Sequence, residues 1–436
     1  MSDKTTRRQF LGKTTAGTAA LAWAGGQLYA AGAEGSPGPA ETVNLGLIGC
    51  GGRGGQLADS FYRKPGNRIV AVCDVDSERM GQARERLGGE KVQMYSDFRK
   101  MLESKDVDAV IVATPGHWHV VPTIQACQAG KDVYVEKPLG TTIGEGRAAV
   151  DAARKYNRIV QIGTQQRSTE HYQRAAEIVQ SGRLGEISEV KVWDYQFFYP
   201  GFGSPANCDP PPQLDWDMWV GPSPDVPYNP NRFRNHYWFF DYGGAWQLDW
   251  AVHHYDIVHW FMGVDQPVAA MAMGGNMCFE DSNTEWPDTL SGVLEYGPGP
   301  VAKKGFLMQY TFRGGCRREH RCHAKCFFGS DASMIIDRGG YTITPEANSK
   351  TEKEHFRVVG SSNHLENFLE SVRNHKVPFA DVEVGHYSSN PGHLLNIAWR
   401  VGRKIKWDGV NEQVPDDPTA NALVTKQYRA PWSLEI

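Results

Sequence analysis

Residues Val43 to Gly55 read VNLGLIGCGGRGG, an apolar run that stops at a glycine-rich turn and passes directly into a helical pattern. Gly49-Cys50-Gly51-Gly52-Arg53-Gly54 has G-x-G-x-x-G spacing. In such a loop Gly49 permits the tight turn, Gly51 lets the backbone approach a pyrophosphate, and Gly54 allows strand and helix to pack closely. The phosphates then lie over the helix N-terminus, with Gly52 and Arg53 beside them. The motif alone is weakly specific, so its context decides. Asp74 falls twenty residues past Gly54 at the end of the next apolar run. A carboxylate there accepts both ribose hydroxyls and repels a 2′-phosphate, which favours NAD over NADP. Asp76 is a second candidate for that role.

Short Val/Ile-rich runs recur at Leu45 to Ile48, Ile69 to Val72, Ala109 to Ala113, Asp132 to Val135 and Ile159 to Ile162. Helical periods such as Ser77 to Leu87 and Thr142 to Tyr156 separate them, and the alternation predicts an α/β domain with a doubly wound parallel sheet. Ligands bind at the carboxyl ends of such strands. Two loops lie there: Thr114-Pro115-Gly116-His117-Trp118-His119 and Glu136-Lys137-Pro138. Proline biases Lys137 toward extended geometry, so its ammonium projects from the strand end. A cation so placed polarises a substrate oxygen, and partial burial lowers its pKa.

After Gly163 the rhythm changes. A helix from about His171 to Ser181 leads to an alternating strand, Ile187 to Phe198; a Pro/Trp-rich insertion follows, Pro200 to Asn235. Strand-like runs at Leu290 to Tyr296, Gly305 to Phe312 and Met334 to Ile336, then helices at about Asn363 to His375 and Pro391 to Lys404, predict an α+β domain on an open, mostly antiparallel sheet. The uncovered face of that sheet calls for a homodimer or homotetramer.

Residues 1–33 carry Thr6-Arg7-Arg8-Gln9-Phe10-Leu11, a weakly apolar Ala/Gly stretch and a small-residue Ala31-Gly32-Ala33 pattern. This reads as a twin-arginine leader, which directs export, to the periplasm or beyond, of proteins already folded. The organisation expected is leader 1–33, linker 34–42, dinucleotide domain 43–165 and substrate and oligomerisation domain 166–436. Without the leader the chain holds 42 basic and 49 acidic residues, a net charge of −7, which argues against nucleic acid as a partner. No later run of about 18 apolar residues exists, so membrane insertion is not expected. Eight cysteines in a chain folded before export are expected mostly reduced. Cys316, His320, Cys322, His323 and Cys326 are metal-ligand types, but paired Cys-x2-Cys or His-x3-His spacing is absent and no metal is expected.

The chain resembles the Gfo/Idh/MocA oxidoreductases, and specifically their exported branch. The resemblance rests on GLIGCGGRGG, ATPGHWH, EKP, GTQQRS at 163–168, GGAWQLDWAVHHYDIVHWFMG at 243–263, and the closing NIAWR and YRAPW segments. It is specific for family and weak for substrate. By resemblance Lys137 and His253 transfer the proton at a sugar hydroxyl, with Asp249 orienting substrate or tuning the histidine. Thr114, Pro115, His119, Glu136, Lys137 and Gln165 join the glycine loop and Asp74 at the cofactor, and Gln166, Arg167 and Trp246 join Asp249 and His253 at the substrate. Asp249, His253, Asp256 and Trp260 have the spacing of one helical face. Many relatives carry Gly in the middle of this motif; here Ala251-Val252 follow a bulky Trp250, which leaves the pocket's shape open. Seven of the thirteen tryptophans fall between Trp193 and Trp260, and indole faces suit pyranose rings better than a charged acid.

The implied activity is hydride transfer from a secondary hydroxyl of a sugar, glycoside or cyclitol to a tightly bound NAD. An exported enzyme meets no cofactor pool, so the dinucleotide travels out already bound. One alternative is an NAD-dependent glycosidase, in which oxidation, elimination and re-reduction give net hydrolysis and free sugar. Another is a secreted sugar-binding protein without catalysis, against which Lys137, Asp249 and His253 argue.

Overall fold

A computed structural model describes residues 42–358 and 362–436. The expected leader, and all of the linker but Thr42, lie outside the described residues.

The first sheet contains β1 (Val43–Ile48), β2 (Asn67–Cys73), β3 (Gln93–Tyr95), β4 (Ala109–Val112), β5 (Asp132–Val135) and β6 (Val160–Ile162). Its order is β3-β2-β1-β4-β5-β6 and every pair is parallel. The chain reverses direction of travel across the sheet between β1 and β4, which opens a crevice at their carboxyl ends. All four residues of β4 and of β5 are buried, as expected of strands covered on both faces. The glycine loop turns there. Gly49 has φ +92°, and a Cβ on Gly54 would stand 1.8 Å from the Gly49 carbonyl oxygen. The close packing of strand and helix therefore rests on the missing side chain.

The second sheet runs β14-β13-β12-β11-β7-β10-β9-β8-β15. Its members are β7 (Ile187–Tyr195), β8 (Ala269–Gly275), β9 (Thr289–Tyr296), β10 (Phe306–Arg313), β11 (His323–Gly329), β12 (Ala332–Asp337), β13 (Gly340–Pro345), β14 (Glu354–Arg357) and β15 (Ile405–Lys406). All pairs are antiparallel except β7–β10. Alternation puts Phe306, Met308, Tyr310 and Phe312 into the core beneath the helices. The opposite face exposes Met271, Met273, Val293, Leu307 and Phe328.

Two expectations are corrected. The strand from Ile187 ends at Tyr195. The helix expected to open at Pro391 spans Val382–Val401, with Asp381 as its cap and Pro391 inside it. Pro is favoured in a first turn, but here the cap lies ten residues earlier, and burial of Ser388 to Ala398 outweighs the one helical hydrogen bond that proline removes. The insertion holds short helices at Trp216–Val220 and Pro230–Arg234. Gln213 O accepts from Ser77 N (3.0 Å), and Asp215 N donates to Val75 O (2.9 Å), so it is fastened to the end of β2.

Replacing Gly54 by Ala should lower the stability of the first sheet by about 1–3 kcal/mol, the usual cost of overpacking. A fall in the urea midpoint would show it; an unchanged midpoint would mean the loop yields freely.

Candidate cofactor and active site

At the crevice lies a cavity of about 250 Å³. One wall is the glycine loop, Asp74, Thr114 and Pro115; the other is Leu214, Trp219, Phe233 and His236 from the insertion and the turn after it. No atom lies within 4 Å of where a Gly52 Cβ would be. The buried Thr114 Oγ1 has no hydrogen-bond partner. Asp74 Oδ2 accepts from Cys50 N (2.6 Å) and Oδ1 from Asp76 N (2.9 Å), which leaves each oxygen a further lone pair for a hydroxyl. Burial raises the Asp74 carboxyl above its ordinary value. Bare glycine backbone, an unpartnered hydroxyl and a fixed carboxylate fit a dinucleotide.

Other expected cofactor residues are committed within the protein. Asp76 lines the cavity and caps the Ser77–Leu87 helix, its Oδ1 accepting from Glu78 N and Arg79 N. Arg53 pairs with buried Glu136 at 2.8 Å, and Gln165 Nε2 lies 3.1 Å from the Tyr134 hydroxyl. His119 stands between the two loops, Nδ1 at 2.7 Å from Pro138 O and Nε2 at 2.9 Å from Thr114 O. These side chains brace the loops. Sequence reasoning missed Arg79, on the Ser77–Leu87 helix, and Trp219, Phe233 and His236, whose part depends on the long-range fastening of the insertion.

Lys137 Nζ donates to the backbone carbonyl of Asp249 (2.6 Å), joining the two lobes. Burial lowers its pKa, opposed by the charges of Glu136 and Asp249. The expected single helical face is corrected. A short helix, Trp246–Asp249, ends before Val252–Met262 begins, and across the break Ala251 N reaches back five residues to Trp246 O (3.0 Å). No hydrogen bond links Asp249 to His253 among the described residues; the Asp249 carboxylate accepts from Gly244 N (2.9 Å). Burial lifts the Asp249 carboxyl to about 6, against the pull of Lys137.

His253 is 4% exposed. Its Nδ1 is buried without a partner, and Nε2, bonded to no described group, is the nitrogen left accessible. Burial, then the charges of Lys137, Arg338, Lys325 and Arg53, hold its pKa well below the ordinary histidine value. The ring is therefore neutral, with its acceptor nitrogen unprotonated.

Trp246 stacks nearly parallel on Trp250 (5.7 Å, 12°), and Trp250 stands edge-on to His253 (5.8 Å, 78°). The remaining candidates turn inward. Arg167 Nε donates to Asp256 Oδ1 at 2.5 Å with its guanidinium over Trp260, so Arg167, Asp256 and Trp260 form packing rather than a cleft wall. Gln166 Oε1 accepts from Lys325 Nζ (2.8 Å), which also donates to the Tyr172 hydroxyl (2.9 Å). The expected strand-turn-strand of the Cys/His cluster is present. Cys326 packs with Trp193 on one face of the second sheet, and His323 meets Trp250 and His254 on the other.

Lys325 is fully buried, and burial brings its pKa down to about 7. The unfolded chain holds this proton up to an ordinary lysine value of about 10.4. Between those values the unfolded state binds the extra proton, so stability should rise with pH across that window. Lys325→Met should flatten this part of the urea-midpoint profile and stabilise the protein at pH 7; parallel profiles would refute the assignment.

Two family models match the chain. Residues 43–164 match "Oxidoreductase family, NAD-binding Rossmann fold", and residues 169–286 and 347–434 match "Oxidoreductase family, C-terminal alpha/beta domain". An inositol 2-dehydrogenase of Rubrobacter xylanophilus is 34% identical over 158 residues, 36% of this chain and 45% of that protein. A glycosyl hydrolase family 109 protein of Saccharopolyspora erythraea is 36% identical over 155 residues, 34% of each. The alignments thus span less than half of these curated relatives. A levoglucosan dehydrogenase solved with NADH superimposes with a TM-score of 0.65 at 17% identity, over 84% of this chain and 99% of that one. The WlbA dehydrogenase of Bordetella pertussis, solved with NADH and UDP-GlcNAcA, gives 0.63 at 18%, over 84% and 99%. These structural likenesses speak to the fold.

Proposed function

Because the chain belongs to the Gfo/Idh/MocA oxidoreductase family and binds NAD through its first domain, we propose that it is an exported enzyme that oxidises a secondary hydroxyl of a sugar, glycoside or cyclitol while keeping its cofactor. The observation that carries this reading is the insertion lying over the dinucleotide cavity, fastened by backbone hydrogen bonds on either side of Leu214. A covered cofactor suits an enzyme whose leader, Thr6 to Leu11, takes it away from any cofactor supply. The names of relatives that act on inositol or levoglucosan favour a polyhydroxylated substrate. The apolar face of the second sheet favours a homo-oligomer.

Bound NAD supplies the hydride acceptor. The protein supplies placement and proton transfer. Neutral His253 takes the hydroxyl proton through Nε2, and Lys137, held by the Asp249 carbonyl, polarises the same oxygen. The Asp249 carboxylate balances Lys137 and so eases the appearance of positive charge on His253. Trp250, stacked on Trp246, stands beside His253 and walls that side of the site with indole.

The test is absorbance in the reduced-nicotinamide band when sugars and glycosides are added to the purified protein without external cofactor. A rise is expected, and Lys137→Met should abolish it while retaining NAD; normal turnover by that variant would overturn the role of Lys137. Similarity to a glycosyl hydrolase family 109 protein gives the second reading, recognised by free sugar with no net redox change.

The same signal should depend on pH. As pH falls through about 6, the value to which burial lifts Asp249, the carboxylate is neutralised and the positive charge of Lys137 opposes protonation of His253. The first-turnover rate should fall on that side, and Asp249→Asn should be slow at every pH without the limb. A limb that persists in the variant would assign it elsewhere.

A further inference from the structure

Arg338 sits on the turn between β12 and β13. The turn is fixed, because the Asp337 carboxylate accepts from Gly339 N (2.7 Å) and pairs with Arg321 at 2.5 Å. Arginines nearby each have an acid: Arg53 has Glu136, Arg167 has Asp256 and Arg321 has Asp337. Arg338 has no hydrogen bond or ion pair to any described residue, and it is exposed. Yet its guanidinium is held in place, with Cζ 4.6 Å from the centre of the Trp250 ring. That ring stands nearly perpendicular to the His253 ring, their centres 5.8 Å apart. The indole thus carries an unpaired cationic fork on its face and adjoins the proton acceptor.

Charge points the same way. The strongest ionic influences on His253 are Lys137, Arg338, Lys325 and Arg53, all positive. The nicotinamide ring of NAD adds another positive charge. Arg53 and Lys137 have Glu136 and Asp249 beside them, so the cation that a neutral sugar leaves without a partner is Arg338, and an anionic one gives the fork its partner. Planar, bidentate pairing is what guanidinium offers a carboxylate, and an aromatic platform desolvates one face of the pair and strengthens it. A phosphate site commonly adds a helix N-terminus or a glycine-rich loop; Arg338 stands instead on the turn between two strands.

We propose that the substrate is an acidic sugar, a hexuronate or its glycoside, whose carboxylate is received by Arg338 on the face of Trp250. This names the substrate class of the oxidation proposed above and rests on that reading. It also revises the sequence-based preference for a neutral carbohydrate, since the aromatic surface that suggested one carries the cation.

The experiment compares hexuronates and their methyl glycosides with the parent neutral hexosides and with hexose 6-phosphates. The NAD-loaded protein is followed by calorimetric binding and by reduction of the bound cofactor. Uronates should bind and react with preference over their neutral parents. Arg338→Met should weaken uronate binding about 10- to 100-fold, the scale of a lost charge-assisted hydrogen bond, and collapse the selectivity ratio. Arg338→Lys should restore only part of it. A preference for neutral hexosides, uronate binding indifferent to both variants, or no uronate binding would each overturn the proposal, as would a preference for phosphates lost in Arg338→Met. Uronate binding that depends on Arg338 without reduction of the cofactor would uphold this inference and overturn the oxidation instead.

Discussion

Two backbone hydrogen bonds, Ser77 N to Gln213 O and Asp215 N to Val75 O, hold the Pro/Trp-rich insertion against the end of β2. The arrangement at the crevice depends on them. They bring Leu214 and Trp219 opposite the glycine loop, and so turn an open parallel-sheet crevice into a lined cavity. Such bonds join main chain to main chain, so their position is set by strand geometry more than by side-chain identity. The aromatic side chains then fill the space: Trp216 stacks on Trp219 at 4.6 Å, and Trp219 meets Tyr242 and Phe233 edge-on.

The second joint is Lys137 to the Asp249 carbonyl. It ties a lysine at the carboxyl end of a parallel strand to the wall supplied by the other lobe. The break after Asp249 gives that carbonyl freedom to accept, because a residue at the end of a short helix has no following turn to claim it. The same break sets His253 in the first turn of the next helix, its Nδ1 enclosed and its Nε2 free. The separation of Asp249 from His253 therefore has a chemical result: the carboxylate serves the lysine, and the imidazole stays neutral.

Much of this was legible in the residues. GLIGCGGRGG announced its turn because Gly54 has no tolerable alternative beside the Gly49 carbonyl, and the apolar runs announced a parallel sheet because both of its faces are buried. Lys137 before a proline was visible as a strand-end cation. What could not be read depended on distant contacts. Regular i, i+4, i+7 spacing from Asp249 to Trp260 suggested one helix, but spacing does not report the interruption at Trp250 and Ala251. Arg167 looked like a ligand for hydroxyls until Asp256, 89 residues away, claimed it. Pro391 marked a helix start by local preference, and Asp381 with the buried packing around it overrode that preference.

The proposed function stands or falls on a dinucleotide kept under the insertion and carried with the protein. The direct measurement is the stoichiometry of adenine dinucleotide released on denaturing the purified protein after exhaustive dialysis, by mass spectrometry. Close to one NAD per chain, retained through dialysis, is expected. Protein of full secondary structure that releases no dinucleotide would contradict it.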